Sequence, residues 1–233
     1  MKRFLIATFL AMTAAFNLGV FGQSHSTQSS HNALLPLPQR IHYGTGKLRL
    51  RGLGIRFASP PSLEDRFAAG ELASALALNA GTSIPVWEGS GPGKTIVLNR
   101  TGPPDPLPAP DEQAGADSRE AYFVKVSLSG VEIQARSSAG LFYGIQTLRQ
   151  LVEGEGDQTA LPEVEIQDWP SLAYRGIMVD MSHGALPTEQ EVQRQIDFLA
   201  RWKANQYYFY SEASIELEGF PLLNPKGRFS QEQ

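Results

Sequence analysis

Tyr122-Phe123-Val124-Lys125-Val126-Ser127-Leu128-Ser129-Gly130-Val131-Glu132-Ile133-Gln134-Ala135 is the stretch from which the fold is read. Tyr122, Val124, Val126 and Leu128 alternate with Phe123, Lys125 and Ser127, and Val131, Ile133 and Ala135 alternate again. A period of two sends every second side chain to one face of a strand. The spacing predicts a β-hairpin with its tight turn at Ser129-Gly130. Leu141, Ile145, Leu148 and Val152 follow at i, i+4, i+7 and i+11, the stripe of an amphipathic helix. A hairpin that feeds such a helix implies an α+β layer, a small sheet with helices on one face.

Upstream the same architecture continues. Leu48, Leu50, Leu53, Ile55 and Phe57 recur between polar residues and predict one or two strands from Lys47 to Phe57. Ser62 is placed to cap a helix, with Asp65 in the first turn. Ala68, Leu72, Ala75 and Leu76 share one face of that helix, and Gly81 closes it. Thr95 to Asn99 reads as a short strand. Gly102 to Asp117, rich in Pro, Gly and Asp, reads as an exposed loop. Order is expected to begin near Leu34, which places the α+β domain at residues 34–168.

Downstream, Asp168-Trp169-Pro170 marks a boundary, because proline forces its predecessor extended. Gly176-Ile177-Met178-Val179 is a continuous apolar run, as in a strand buried on both faces, and it ends on Asp180. Thr188 and Glu191 form a capping box, and Val192, Ile196 and Leu199 share a helical face. Asn205 to Tyr210 is a second strand, followed by Ser211-Glu212. Strand, helix, strand in this order is a βαβ unit built for a parallel sheet. Residues 169–233 therefore read as the opening of a TIM-type (β/α)8 barrel, which at ~250 residues and eight strands this stretch is too short to complete.

The N-terminus reads as a targeting segment. Lys2 and Arg3 precede a nearly apolar run from Phe4 to Val20, and Val20-Phe21-Gly22 then gives way to polar Gln23-Ser24-His25-Ser26. That order is a secretory signal peptide over residues 1–22, followed by a disordered linker at 23–33. The alternative is an uncleaved membrane anchor, and the run falls short of the ~20 residues that span a bilayer. Export to the periplasm or cell exterior is the expectation, with no stable membrane insertion. The chain has no cysteine, so its core holds without disulfides. Asn99-Arg100-Thr101 matches a glycosylation sequon.

Composition narrows the chemistry. The net charge of −4 comes without a basic stripe, which argues against nucleic acid and leaves a neutral ligand open. His25, His31, His42 and His183 are scattered, without metal-ligand spacing. There is no Gly-x-Ser-x-Gly, P-loop or dinucleotide fingerprint. In a β/α barrel, functional groups stand where strands end, and Asp180 and Glu212 occupy two such places. Arg175 opens the first strand, and its planar fork suits two hydroxyls of one substrate. These three are the candidate substrate-binding residues. Each has a plainer alternative: an ion pair for Arg175, a loop-orienting carboxylate for Asp180 and a solvated acid for Glu212.

Leu35-Pro36-Leu37-Pro38-Gln39, the hairpin end Gly130-Val131-Glu132-Ile133, and Ala139-Gly140-Leu141-Phe142-Tyr143-Gly144-Ile145-Gln146-Thr147-Leu148-Arg149-Gln150-Leu151 follow one another along the chain. Together these motifs resemble the β-N-acetylhexosaminidases of glycoside hydrolase family 20. Ile166-Gln167-Asp168-Trp169-Pro170 and Tyr174-Arg175-Gly176-Ile177-Met178-Val179-Asp180 continue the likeness into the catalytic barrel. The resemblance implies substrate-assisted retaining hydrolysis of terminal N-acetylhexosamine, an exception to the two-carboxylate scheme. The substrate's acetamido oxygen attacks the anomeric carbon, an Asp orients it, and a paired Glu protonates the leaving oxygen. No cofactor is implied. Arg175 matches the arginine that the resemblance assigns to sugar hydroxyls. Two departures stand out. Asp180-Met181-Ser182-His183-Gly184 replaces the family's Asp-x-Ser-Arg-His, and Tyr208-Phe209-Tyr210 replaces its His-x-His. The catalytic Asp-Glu pair belongs to a later strand, so no catalytic residue is assigned here and this stretch is expected to be inactive alone. Competing readings are a related barrel glycosidase with another sugar specificity, and a non-catalytic carbohydrate-binding or scaffolding protein.

Overall fold

The computed structural model describes residues 31, 33–104, 111–182, 185–223 and 226–232. The signal-peptide reading, most of the linker reading, and His183 lie outside them. Seven strands form one mixed sheet. In chain order they are β1 (Arg40–Arg49), β2 (Gly54–Phe57), β3 (Val86–Trp87), β4 (Thr95–Arg100), β5 (Tyr122–Ser127), β6 (Gly130–Ala135) and β7 (Ala160–Asp168). Their spatial order is β1-β7-β5-β6-β4-β2-β3. β5 pairs antiparallel with β6 and β7, β1 antiparallel with β7, and β4 and β2 extend the sheet in parallel.

Helices α1 (Leu63–Ala80) and α2 (Ser138–Gln150) pack on one face of this sheet. Leu72, Leu76, Ile133, Leu141, Ile145, Leu148, Leu161 and Ile166 are essentially inaccessible between the layers. The anticipated α+β layer is thus present, with more strands than the sequence suggested. α1 carries the capping box of Ser62 and Asp65 and ends at Gly81 in the left-handed region, φ 65°. The sequon lies inside β4. The Asn99 amide donates to Glu132 at 3.1 Å, while Arg100 is buried against Asp65.

Three local expectations shift. The hairpin turns at Leu128-Ser129, one residue early, because Ser127 pairs with Gly130. Leu128 is consequently exposed rather than part of the apolar face. β7 was not anticipated. Pro162 disguised it, yet Pro162 pairs only with Lys47 of β1 and lies beyond the end of β5, so no ladder bond to β5 is lost.

The remaining residues form β8 (Gly176–Asp180), α3 (Glu189–Arg201) and β9 (Gln206–Tyr210), with β8 and β9 paired in parallel. The βαβ order is as expected. The burial of β8 is not: Ile177 and Met178 are 41% and 69% exposed, because side chains leave a strand through its faces and little packs on those of β8. Thr188 accepts the Glu191 N–H, but the Glu191 carboxylate turns to Arg194 and Gln195, leaving half a capping box.

Candidate functional site

Parallel pairing fixes which ends of β8 and β9 coincide. Asp180 lies opposite Tyr210, so Asp180 and Glu212 stand at the same, C-terminal edge of the pair. Asp180 Oδ1 accepts from the Ser182 N–H at 2.8 Å and the Ser182 hydroxyl at 2.5 Å, which orients the loop after the strand. Glu212 is exposed and accepts from the Tyr210 hydroxyl at 3.4 Å. Arg175 is not with them. It precedes β8, at the opposite end of the strand, roughly 16 Å along the chain at strand rise.

Arg175 enters a buried polar junction instead. Its Nη2 meets Glu120 Oε2 at 2.6 Å, Nε donates to the Lys203 carbonyl at 2.9 Å, and Nη1 donates to the Leu172 carbonyl at 2.7 Å. The guanidinium lies 5.7 Å from the Tyr143 ring centroid. Glu120, only 2% exposed, also accepts from the Asn205 amide at 2.9 Å. Burial lifts the Glu120 carboxyl above its ordinary range, with Asn205 and Arg175 opposing. This is the ion-pair alternative for Arg175, with Glu120 as the acid.

A second set adjoins it. Lys203, just past α3, adopts φ 63° and reaches back into the sheet. Its Nζ donates to Tyr122 Oη at 2.6 Å and to Asp168 Oδ2 at 2.9 Å, and the Tyr122 hydroxyl donates to Asp168 at 2.5 Å. Burial pushes Lys203 below the ordinary lysine range against the pull of Asp168, and pushes Tyr122 well above the ordinary tyrosine range. A cavity of about 170 Å³ lies beside both sets, lined by Leu37, Gln39, Trp169, Arg175 and Lys203.

These groups bind one another. Every charge is met by a protein partner, so the junction fastens β8 and β9 to the sheet and has no free acid or base aimed at a ligand. Among the described residues no group of three or more His, Cys, Asp and Glu could hold a metal ion. Glu120, Tyr122, Lys203 and Asn205 escaped sequence reading because their meaning lies in contacts between residues 35–85 positions apart. The one available signal was Asp168-Trp169-Pro170, read as a boundary and not as a fastening point.

A family model described as glycosyl hydrolase family 20, domain 2, matches residues 31–169. A β-hexosaminidase of Vibrio furnissii is 28% identical over 206 residues, covering 87% of this chain and 30% of that protein. A β-hexosaminidase of Porphyromonas gingivalis is 33% identical over 119 residues, 46% of this chain and 15% of its own. The chain thus spans less than a third of these relatives. Among solved structures, Streptomyces plicatus N-acetyl-β-hexosaminidase in complex with thio-NAglucal superposes with a TM-score of 0.69 at 28% identity, covering 84% of this chain and 41% of that one. Flavobacterium johnsoniae chitobiase, at 22% identity, shares the fold with a TM-score of 0.70 over 85% of this chain and 31% of its own.

Proposed function

Because this chain belongs to glycosyl hydrolase family 20, through that family's domain 2, we propose that it is the N-terminal portion of an exported β-N-acetylhexosaminidase-like enzyme. In this reading the sheet with α1 and α2 is a scaffold, and β8-α3-β9 is the first βαβ unit of a (β/α)8 barrel. The substrate is a glycan ending in N-acetylhexosamine, and no cofactor takes part.

The observation that carries the reading is the buried junction. Glu120 with Arg175 and Asn205, and Asp168 with Tyr122 and Lys203, hold the starts of both parallel strands against the sheet. The C-terminal strand edge, with Asp180 and Glu212, is left open. A barrel's chemistry belongs at that edge. Arg175 serves as a fastener here, while Asp180 and Glu212 border the substrate.

The mechanism assigned by this reading is attack of the substrate's acetamido oxygen on the anomeric carbon, with proton donation to the leaving oxygen by a carboxylic acid. Asp180 accepts from Ser182 and Glu212 from Tyr210, and proton donation is placed on neither. The test is a chromogenic aryl N-acetylglucosaminide. The 233-residue chain should release no aryl group above background, and the product of the open reading frame in which this sequence lies should turn over with retained configuration. Turnover by the 233-residue chain that is abolished by Glu212→Gln would sink the reading. Saturable glycan binding without turnover by the whole product would favour the carbohydrate-binding alternative.

A further inference from the structure

The sheet has a second face, turned away from α1 and α2, and its side chains are not uniform. Strand register lays them out in rows. One row is charged: Glu132, Lys125 and Glu165 stand side by side, with Lys125 and Glu165 paired at 2.6 Å. The adjacent row differs in kind. Phe123, on central strand β5, lies directly across from Gln134 on β6 and Gln167 on β7. Asn99 and Arg40 extend this row on either side. With strands about 4.8 Å apart, its five positions span roughly 19 Å.

A cleft of about 310 Å³ opens on this row, with Phe123, Gln134, Gln167, Arg136 and Trp169 in its walls. The core is on the other face, where its neighbours Tyr122 and Val124 are buried, and Phe123 is only partly buried, among polar groups. The two amides are exposed as well. Arg40 donates to Gln167 Oε1 at 3.0 Å, which orients that amide and leaves its nitrogen to donate. Arg40 is itself seated 5.5 Å from the Trp169 ring centroid.

An aromatic ring between two amides matches a neutral sugar. A pyranose presents a face of C–H bonds that stacks on a ring, and a rim of hydroxyls that both donate and accept. An amide both donates and accepts, whereas a carboxylate only accepts and a guanidinium only donates. Aromatic stacking with a few placed polar groups is the usual composition of a small-ligand site. A flat row across several strands suits a flat, extended chain of β-linked sugars. We infer that this cleft on the outer face of domain 2 binds a neutral β-linked oligosaccharide, with Phe123 stacking on a ring and Gln134 and Gln167 bonding its hydroxyls.

The inference stands on the sheet's outer face and does not require the hexosaminidase reading. The 233-residue chain is titrated with chitotetraose and with cellotetraose by calorimetry. Saturable binding of at least one is expected, weakened about tenfold or more by Phe123→Ala, which is about 1.4 kcal/mol. Lys125→Ala, one row away, should leave binding unchanged. If Phe123→Ala fails to fold, Gln134→Ala at an exposed position decides alone by the same criterion. No saturable binding of either sugar, or binding that the deciding variant leaves intact, overturns the site. An inactive product of the whole reading frame would sink the hexosaminidase proposal and leave this result untouched.

Discussion

Asp65 shows how one side chain can serve a helix cap and a buried pair together. It completes the α1 capping box with Ser62 and meets Arg100 Nε at 2.9 Å, both groups being nearly inaccessible. Burial alone would raise its carboxyl, but the Ser62 N–H and Arg100 outweigh burial and hold it below the ordinary 3.8. Asp65→Ala leaves Arg100 buried and unpaired, so urea unfolding should show a loss of about 3–5 kcal/mol. The sign with pH follows from the depressed value. The stabilisation is fully present above the unfolded aspartate value and is lost as pH falls through the lower folded one. The gap between wild type and Asp65→Asn should therefore narrow as pH is taken below 3.8. Arg175 gives the second test. As a fastener, its loss strands Glu120 in the junction, so Arg175→Ala should cost the unliganded chain roughly 2–4 kcal/mol on unfolding. A residue that only grips sugar would leave unliganded stability unmoved. Unchanged stability, together with weaker sugar binding by the product of the whole reading frame, would restore the sugar-contact role.

The seating of α2 on the hairpin depends on two glycines one helical turn apart. A Cβ on Gly140 would come within 2.5 Å of the Ala121 carbonyl oxygen and 2.8 Å of the Ala135 Cβ. A Cβ on Gly144 would meet Ile133 Cγ2 at 2.6 Å and the Tyr122 ring at 3.3 Å. Alanine favours an isolated helix by up to about 1 kcal/mol over glycine, whereas forcing a methyl into a packed core costs about 1–3 kcal/mol. Overpacking should win, because a carbonyl on β5's approach and a buried isoleucine both have little room to yield. Gly140→Ala and Gly144→Ala should each lower the thermal midpoint, and a rise in either would show that α2 can lift off the sheet without penalty.

Burial is divided unevenly along the chain. All the residues of the main apolar core lie between Leu34 and Ile166. After Trp169 the only buried residues among those described are Met181, Lys203 and Ser214. Ile177, Met178, Phe198, Tyr208, Phe209 and Tyr210 are exposed on β8, α3 and β9. A piece from Leu34 to Trp169 should therefore melt cooperatively by itself, since it retains the whole apolar core. Limited proteolysis of the 233-residue chain should cut first after Trp169, where few apolar contacts oppose local opening. A non-cooperative melt, or first cuts inside the sheet, would move the boundary. The same exposed strands predict association at high concentration unless further elements cover them.

The hairpin, α1 with its cap and closing glycine, α2 and the βαβ order were all readable from the chain. Local periodicity and capping chemistry depend on neighbours a few residues away. Only the tertiary structure decided the sheet order, β7, the exposure of β8 and the partners of Arg175. Pairing across more than a hundred residues determines where Pro162 is harmless, and pairing with two other strands lays Phe123 between Gln134 and Gln167. Packing also decides that the acid facing Arg175 is Glu120, a residue 55 positions away, and not Asp180 at the far end of β8. A sequence states which groups need partners, and the choice among distant partners belongs to the packing that removes them from water.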